Sequence, residues 1–371
     1  MGRLIHPLKI QLIGLLACWL VTATATAQYV SLTTNELIRL KTRISQDTAA
    51  ARLIASFWRQ AALALQEQPN PIQKIESQGL LEGDSRKVAS LKAVKDGDKV
   101  YALALAYRVY GKQDYKLKAV AYLTAWAETN QPTGDPINET KLEPFITGYD
   151  LIRPELSIAQ RQPIDAWLDH IADGEVHSFS IQPGKGTVIN NWNSHRIKII
   201  TLIAYTLHSS KYEGIIIPEL EKQIGQNLNA DGTTLDFIER DAFHYHTYDL
   251  EPLLTAAIAI KRATGKNYFM YESDKKASIK KSVDFIIPYM TGEKQHGEFV
   301  NSRVEFDRKR AANHEKGYAA GTPFNPQSGV YLLSLASYFN PDYASIIQQV
   351  SRKKSKYLNW TLLLSQIKRT N

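Results

Sequence analysis

Residues Asp236 to Pro252, DFIERDAFHYHTYDLEP, set one arginine, two histidines and five acids around Tyr245 and Tyr248. These side chains move protons and bind anions: imidazole near neutral pH, phenol as an acid, guanidinium as a fixed positive charge. Core-forming sequence needs few titratable groups in so short a space. A continuous helix would stack Arg240, His244 and Tyr248 at four-residue steps, and Pro252 is the next step on that ladder. Proline lacks an N–H and its ring clashes with the carbonyl four residues back. A helix is therefore expected to start near Asp249, with Pro252 in its first turn, leaving the three upstream residues to tertiary structure. His244 and His246 would diverge on a helix, and no HExxH pattern accompanies them, so a metal centre is not expected. The plainer role for one or both is that of a hydrogen-bonded core group.

A second unusual stretch, PGKGTVINNWNSHR at 183–196, leads into the apolar IKIITLIAY. With a helix begun by Asn191, His195 lies one turn further along the same face. Amide and imidazole would then share a space with the Trp192 indole, a trio suited to the carboxylate and apolar ring face of a sugar acid. The alternative is a helix cap by Asn190 or Asn191 and a packed tryptophan. A third loop, NQPTGDPINETKLEP at 130–144, carries three prolines. Asn138, Glu139 and Lys141 could face a cleft there, although turn chemistry alone also accounts for it.

The elements that must position these loops are helical. Apolar residues recur at three- and four-residue intervals over Leu37–Leu65. Val100–Tyr110, the turn GKQD and Tyr115–Trp126 form a helical hairpin, and Leu253–Ala263 followed by TGKN repeats the layout. Further helices are expected at Pro163–Ile171 with the proline in the first turn, Arg196–Leu207, Pro218–Asn227, Ile279–Ile287 and Gly329–Tyr338. Strand-like alternation is scarce and no Pro-, Gly- or Ser-rich linker divides the chain. One all-α domain of antiparallel hairpins follows; periodicity leaves open whether they close into a ring.

The N-terminus reads as a signal peptide over residues 1–27: Arg3 and Lys9 without an acid, an apolar run Ile10–Val21, and a small-x-small site ending at Ala27. The apolar run is short for a spanning helix. A lipoprotein signal at Cys18 is the weaker alternative. Cys18 is the only cysteine, so the mature chain, residues 28–371, would contain none, which excludes disulfide and thiol chemistry. Loss of Arg3 and Lys9 lowers the formal charge from +8 to +6. Export, with the periplasm first and secretion as the alternative, makes nucleic acid an improbable partner and points to an acidic polysaccharide. The alternative is that the lysines keep the surface soluble. No GxSxG, P-loop or dinucleotide fingerprint appears.

The pairing of NNWNSHR with RDAFHYHTYDLEPL resembles the alginate lyase family of polysaccharide lyases. NQPTGDPINETKLEP and HGEFVNSRVEFDRKRA, residues 296–311, are similar to further segments of it. The resemblance implies an (α/α) toroid of antiparallel helical hairpins, an incomplete barrel. It implies β-elimination on a uronate polymer by a monomer without cofactor or membrane attachment. Carried over residue by residue, Asn191 and His195 would grip the substrate carboxylate and Arg240 would add positive charge. Tyr248 would be the acid and perform the base step where stereochemistry allows, with a protonated His244 or Arg240 favouring its phenolate. Asn190, Trp192, Arg196, Tyr245 and His246 complete the expected substrate-binding set. Two departures stand out. Family members carry histidine directly after the paired asparagines, where this chain has Trp192, and their arginine aligns with Asp241. Two other functions stay open: a glycoside hydrolase using a pair among Asp236, Glu239, Asp241 and Glu251, and a non-catalytic polysaccharide guide.

Overall fold

The computed structural model describes Gly2, residues 28–351 and residues 355–369. Apart from Gly2, the expected signal segment lies outside the described residues. The N-terminal helices are α1 (Thr34–Gln46), α2 (Thr48–Gln66), α3 (Ser85–Ala93), α4 (Lys95–Tyr110) and α5 (Gln113–Thr129). The central part holds the one-turn α6 (Pro136–Glu139), then α7 (Glu143–Ile152), α8 (Ile158–Val176), α9 (Asn191–Leu207) and α10 (Ser210–Asn227). Next come α11 (Leu235–Arg240), α12 (Phe243–Thr264), α13 (Ile279–Thr291) and α14 (Glu305–Ala312). The chain ends with α15 (Val330–Ala336), α16 (Asp342–Val350) and α17 (Trp360–Lys368). Two short strands, β1 (Gly297–Glu298) and β2 (Thr322–Pro323), pair antiparallel.

The inner helices α4, α7, α9, α12 and α15 pack side by side. The outer helices α5, α8, α10, α13 and α16 back them, and α17 meets both α1 and α15. This is an α/α toroid. Burial follows the layering: α9 is covered along almost its whole length, whereas α10 buries one stripe. Close approach of α4 and α7 depends on Gly148, where an added Cβ would meet Val100 Cγ1 at 2.9 Å and the Tyr101 backbone at 3.0 Å.

Several boundaries differ from those read off the sequence. The run Leu37–Leu65 is two helices, because Asp47 is extended and its carboxylate accepts the amides of Ala49 and Ala50 as an N-cap. Pro163, Pro218 and Pro252 all lie inside longer helices, at none of the starts expected for them. Ser157 caps α8 with a reciprocal bond to Gln160, placing its start ahead of Pro163. In α12 the helix begins at Phe243, six residues before the expected Asp249. The break instead falls at Asp241, left-handed at φ 51°, and the extended Ala242.

Residues Gln28–Leu32 tie helices α7, α12 and α17 together. They form a bent strap, buried except for the half-buried Tyr29, with Ser31 N–H donating to Asp150 Oδ2 at 2.9 Å. Arg262 at the end of α12 donates to the carbonyls of Gln28, Tyr29 and Ser31 at 2.7–3.0 Å. Lys368 of α17 donates to the Val30 carbonyl at 2.8 Å.

Candidate active site

Asn190 caps α9, its side chain accepting the Trp192 amide at 3.1 Å. Asn191 is buried, and its side-chain amide donates to Asp236 Oδ1 while its backbone N–H donates to Asp236 Oδ2 at 2.7 Å. The two unusual loops are thus joined directly, and the Asn191 N–H groups face the α11 aspartate. Burial raises the Asp236 carboxyl to about 6 against the bonds from Asn191. Trp192 lies edge-on to Phe179, ring centroids 6.0 Å apart.

One turn on from Asn191, His195 faces Tyr248. Their ring centroids are 4.3 Å apart at 49°. His195 Nδ1 pairs with Thr140 Oγ1 at 2.8 Å, and its buried Nε2 has no hydrogen-bond partner among the described residues. Burial, then Lys198 and Lys141, hold its pKa well below 6.5, so the ring is neutral. Pro252 has no N–H for the Tyr248 carbonyl four residues back, and that carbonyl lies close enough to the His195 ring to oppose the shift partly, though it makes no hydrogen bond to it within normal geometry. The Tyr248 hydroxyl has no partner among the described residues. Burial foremost, and then the Tyr245 hydroxyl, push its pKa up while Arg310 opposes them, so its resting form is the phenol.

The cations expected to favour a Tyr248 phenolate are placed otherwise. Arg240 pairs with Asp307 at 2.5 Å and lies over the Tyr245 ring at 3.7 Å. His244 shares the helix face of Tyr248 and is exposed, yet partial desolvation, then Arg310 and Arg240, lower its pKa, and Nε2 meets Tyr318 Oη at 3.2 Å. Arg310 of α14 supplies the charge, donating to the hydroxyls of Tyr245 at 2.6 Å and Tyr318 at 2.7 Å. Sequence reasoning singled out the segment that carries Arg310 but not the residue. For Tyr318 nothing in its surroundings in the chain marked it.

Two expected binding residues point elsewhere. Arg196 is buried, donating to the Glu175 carbonyl at 2.7 Å, to Asn193 at 2.9 Å and to Glu219 at 2.7 Å. His246 is fully buried between Thr234 and the Ser282 carbonyl, and desolvation lowers it to about 4. Among the described residues no cluster of three or more His, Cys, Asp or Glu side chains could hold a metal ion.

Lys141 from the third loop does reach the site. It is desolvated to about 8, and its ammonium bonds the Ile137 carbonyl at 2.5 Å. Lys198 pairs with Glu143 at 2.5 Å. A neutral imidazole, a neutral phenol and surrounding cations can together bind an anion and exchange a proton with it.

The family model described as alginate lyase matches residues 41–296. An alginate lyase structure from Bacteroides ovatus is similar over 90% of this chain and 97% of its own, at TM-score 0.63 and 15% identity. Alginate lyase A1-III from Sphingomonas species A1 is similar over 86% and 90%, at TM-score 0.56 and 16% identity. A histidine-to-alanine variant of A1-III complexed with a tetrasaccharide matches over 85% and 89%, at TM-score 0.57 and 16% identity. No curated protein matches the sequence.

Proposed function

The chain belongs to the alginate lyase family and is a polysaccharide lyase, and we propose that it cleaves a uronate polymer, alginate or a related polyuronate such as glucuronan, by β-elimination at His195 and Tyr248. The observation that carries this reading is the stacking of those two rings with the hydroxyl of one and Nε2 of the other unpartnered. In the reaction the C5–H electron pair becomes the C4=C5 double bond. The C4–O pair leaves with the glycosidic oxygen, which must receive a proton. The C5 proton is weakly acidic until the adjacent carboxylate is neutralised, and His195 Nε2 with Lys141 supplies donors for that carboxylate. Tyr248, a phenol at rest, protonates the leaving oxygen. Where the C5 hydrogen and C4 oxygen lie on one face, as in mannuronate, Tyr248 also takes the C5 proton as phenolate, with Arg310 nearby to stabilise that charge. The tetrasaccharide held by the A1-III variant supports an oligosaccharide-sized cleft. We place the mature protein, after loss of residues 1–27, in the periplasm as a monomer.

The test is ultraviolet absorbance of the unsaturated product on a panel of polyuronates. Chain shortening without absorbance would assign a hydrolase, and binding without cleavage a guide protein. Tyr248→Phe is expected to abolish turnover and leave substrate binding intact.

A further inference from the structure

Below the His195–Tyr248 pair lies a cavity of about 640 Å³ along the toroid axis, within the range of ligand sites. Thr140 joins the two: it lines the cavity and its hydroxyl bonds His195. The helix α12 measures the depth. Thr255 and Ile258 line the wall successively below Tyr248, and Arg262, fourteen residues from Tyr248, lies about 21 Å along the axis at 1.5 Å per residue. At that level Arg262 and Lys368 bind the strap, whose Val30, Ser31 and Leu32 line the cavity and are themselves buried. The cavity therefore has a floor, and a polymer entering past the catalytic pair cannot run through. Its walls combine aromatic side chains, Tyr101 and Trp360 among them, with Lys95, Lys141 and Lys368, which outnumber the carboxylates Asp98 and Glu143. Flat apolar surfaces beside cations fit the two faces of a uronate ring: stacking for the carbons, charge for the carboxylate.

Resting on the lyase reading, we propose that this blind cavity receives the end of a uronate chain and that the strap Gln28–Leu32, as its floor, sets how many sugar residues lie beyond the scissile bond. The protein then removes a short oligosaccharide of fixed size from a chain end and does not cut at random along the polymer.

The experiment follows absorbance, viscosity and product size together on polymannuronate and polyglucuronate. Absorbance rising linearly while viscosity falls slowly, with products of one short size from the first turnovers, is expected. Absorbance accompanied by a ladder of sizes and an early collapse of viscosity would overturn the chain-end reading and leave the lyase intact. No absorbance on any polyuronate would overturn the lyase reading and the chain-end reading with it. Thr255→Trp puts an indole into the cavity away from the reacting pair, and its product should be shorter or its release slower. An unchanged product and rate in a variant that melts like the parent would also overturn the proposal. Should that variant fail to fold, the product profile of the unmodified protein decides.

Discussion

The resting protonation states of Tyr248 and His195 make a testable pair. A tyrosine that must ionise, with its pKa held above the ordinary value by burial, predicts turnover that keeps rising through neutral and alkaline pH on a mannuronate polymer. A base at His195, with its pKa well below 6.5, predicts a plateau across that range. A pH–rate profile of kcat separates them, and a plateau would move the base role to the histidine. At this scale the sequence told which residue types mattered but not which atoms were free. Asn191 and His195 were legible as neighbours from their four-residue spacing, yet the amide is engaged by Asp236, forty-five residues away. Arg240 was conspicuous by adjacency, but the guanidinium beside the tyrosine hydroxyls comes from Arg310 on a separate helix. Such partnerships across long separations leave no local pattern.

At the scale of elements, proline misled in a consistent way. Each of Pro163, Pro218 and Pro252 was read as a helix start, since a first-turn position carries no penalty. Pro163 and Pro218 sit on the exposed faces of the outer helices α8 and α10, whereas Pro252 is buried in α12, where tertiary packing outweighs the lost bond and the freed carbonyl faces the His195 ring. The longer amphipathic helices were legible because a 3.6-residue apolar rhythm is local, but α3, α7, α11, α14, α16 and α17 were not singled out. The split at Asp47 was not, because one aspartate serves as the end of α1 and the cap of α2. The α4–α7 contact offers a check on how tightly the inner layer is packed. Gly148→Ala should destabilise the protein by about 1–3 kcal/mol, since backbone stands in the way of the new methyl. Urea unfolding measures it, and an unchanged midpoint would show that the two helices can separate at no cost.

For the whole molecule, buried carboxyls govern stability against pH. Burial raises the Glu251 pKa from 4.5 to about 8, against the attraction of Lys198. A raised folded value means that its contribution is complete below 4.5 and is lost as pH rises towards about 8. Glu251→Gln should therefore flatten the decline of Tm over that window, as read by thermal melts across a pH series. A decline as steep as in the parent would place the controlling group elsewhere. The toroid was legible as hairpins but not as a ring, because the contacts joining its ends, α17 to α1 and the strap to Asp150, Arg262 and Lys368, span more than a hundred residues.

That same strap sets an order in time. Translation makes Gln28–Leu32 long before Lys368, yet the strap's bond to α17 needs both. The strap must wait for Lys368 of α17, 338 residues on from Val30, before it can seat fully, and closing loops of that length slows folding. Seating of the strap is thus coupled to synthesis of α17.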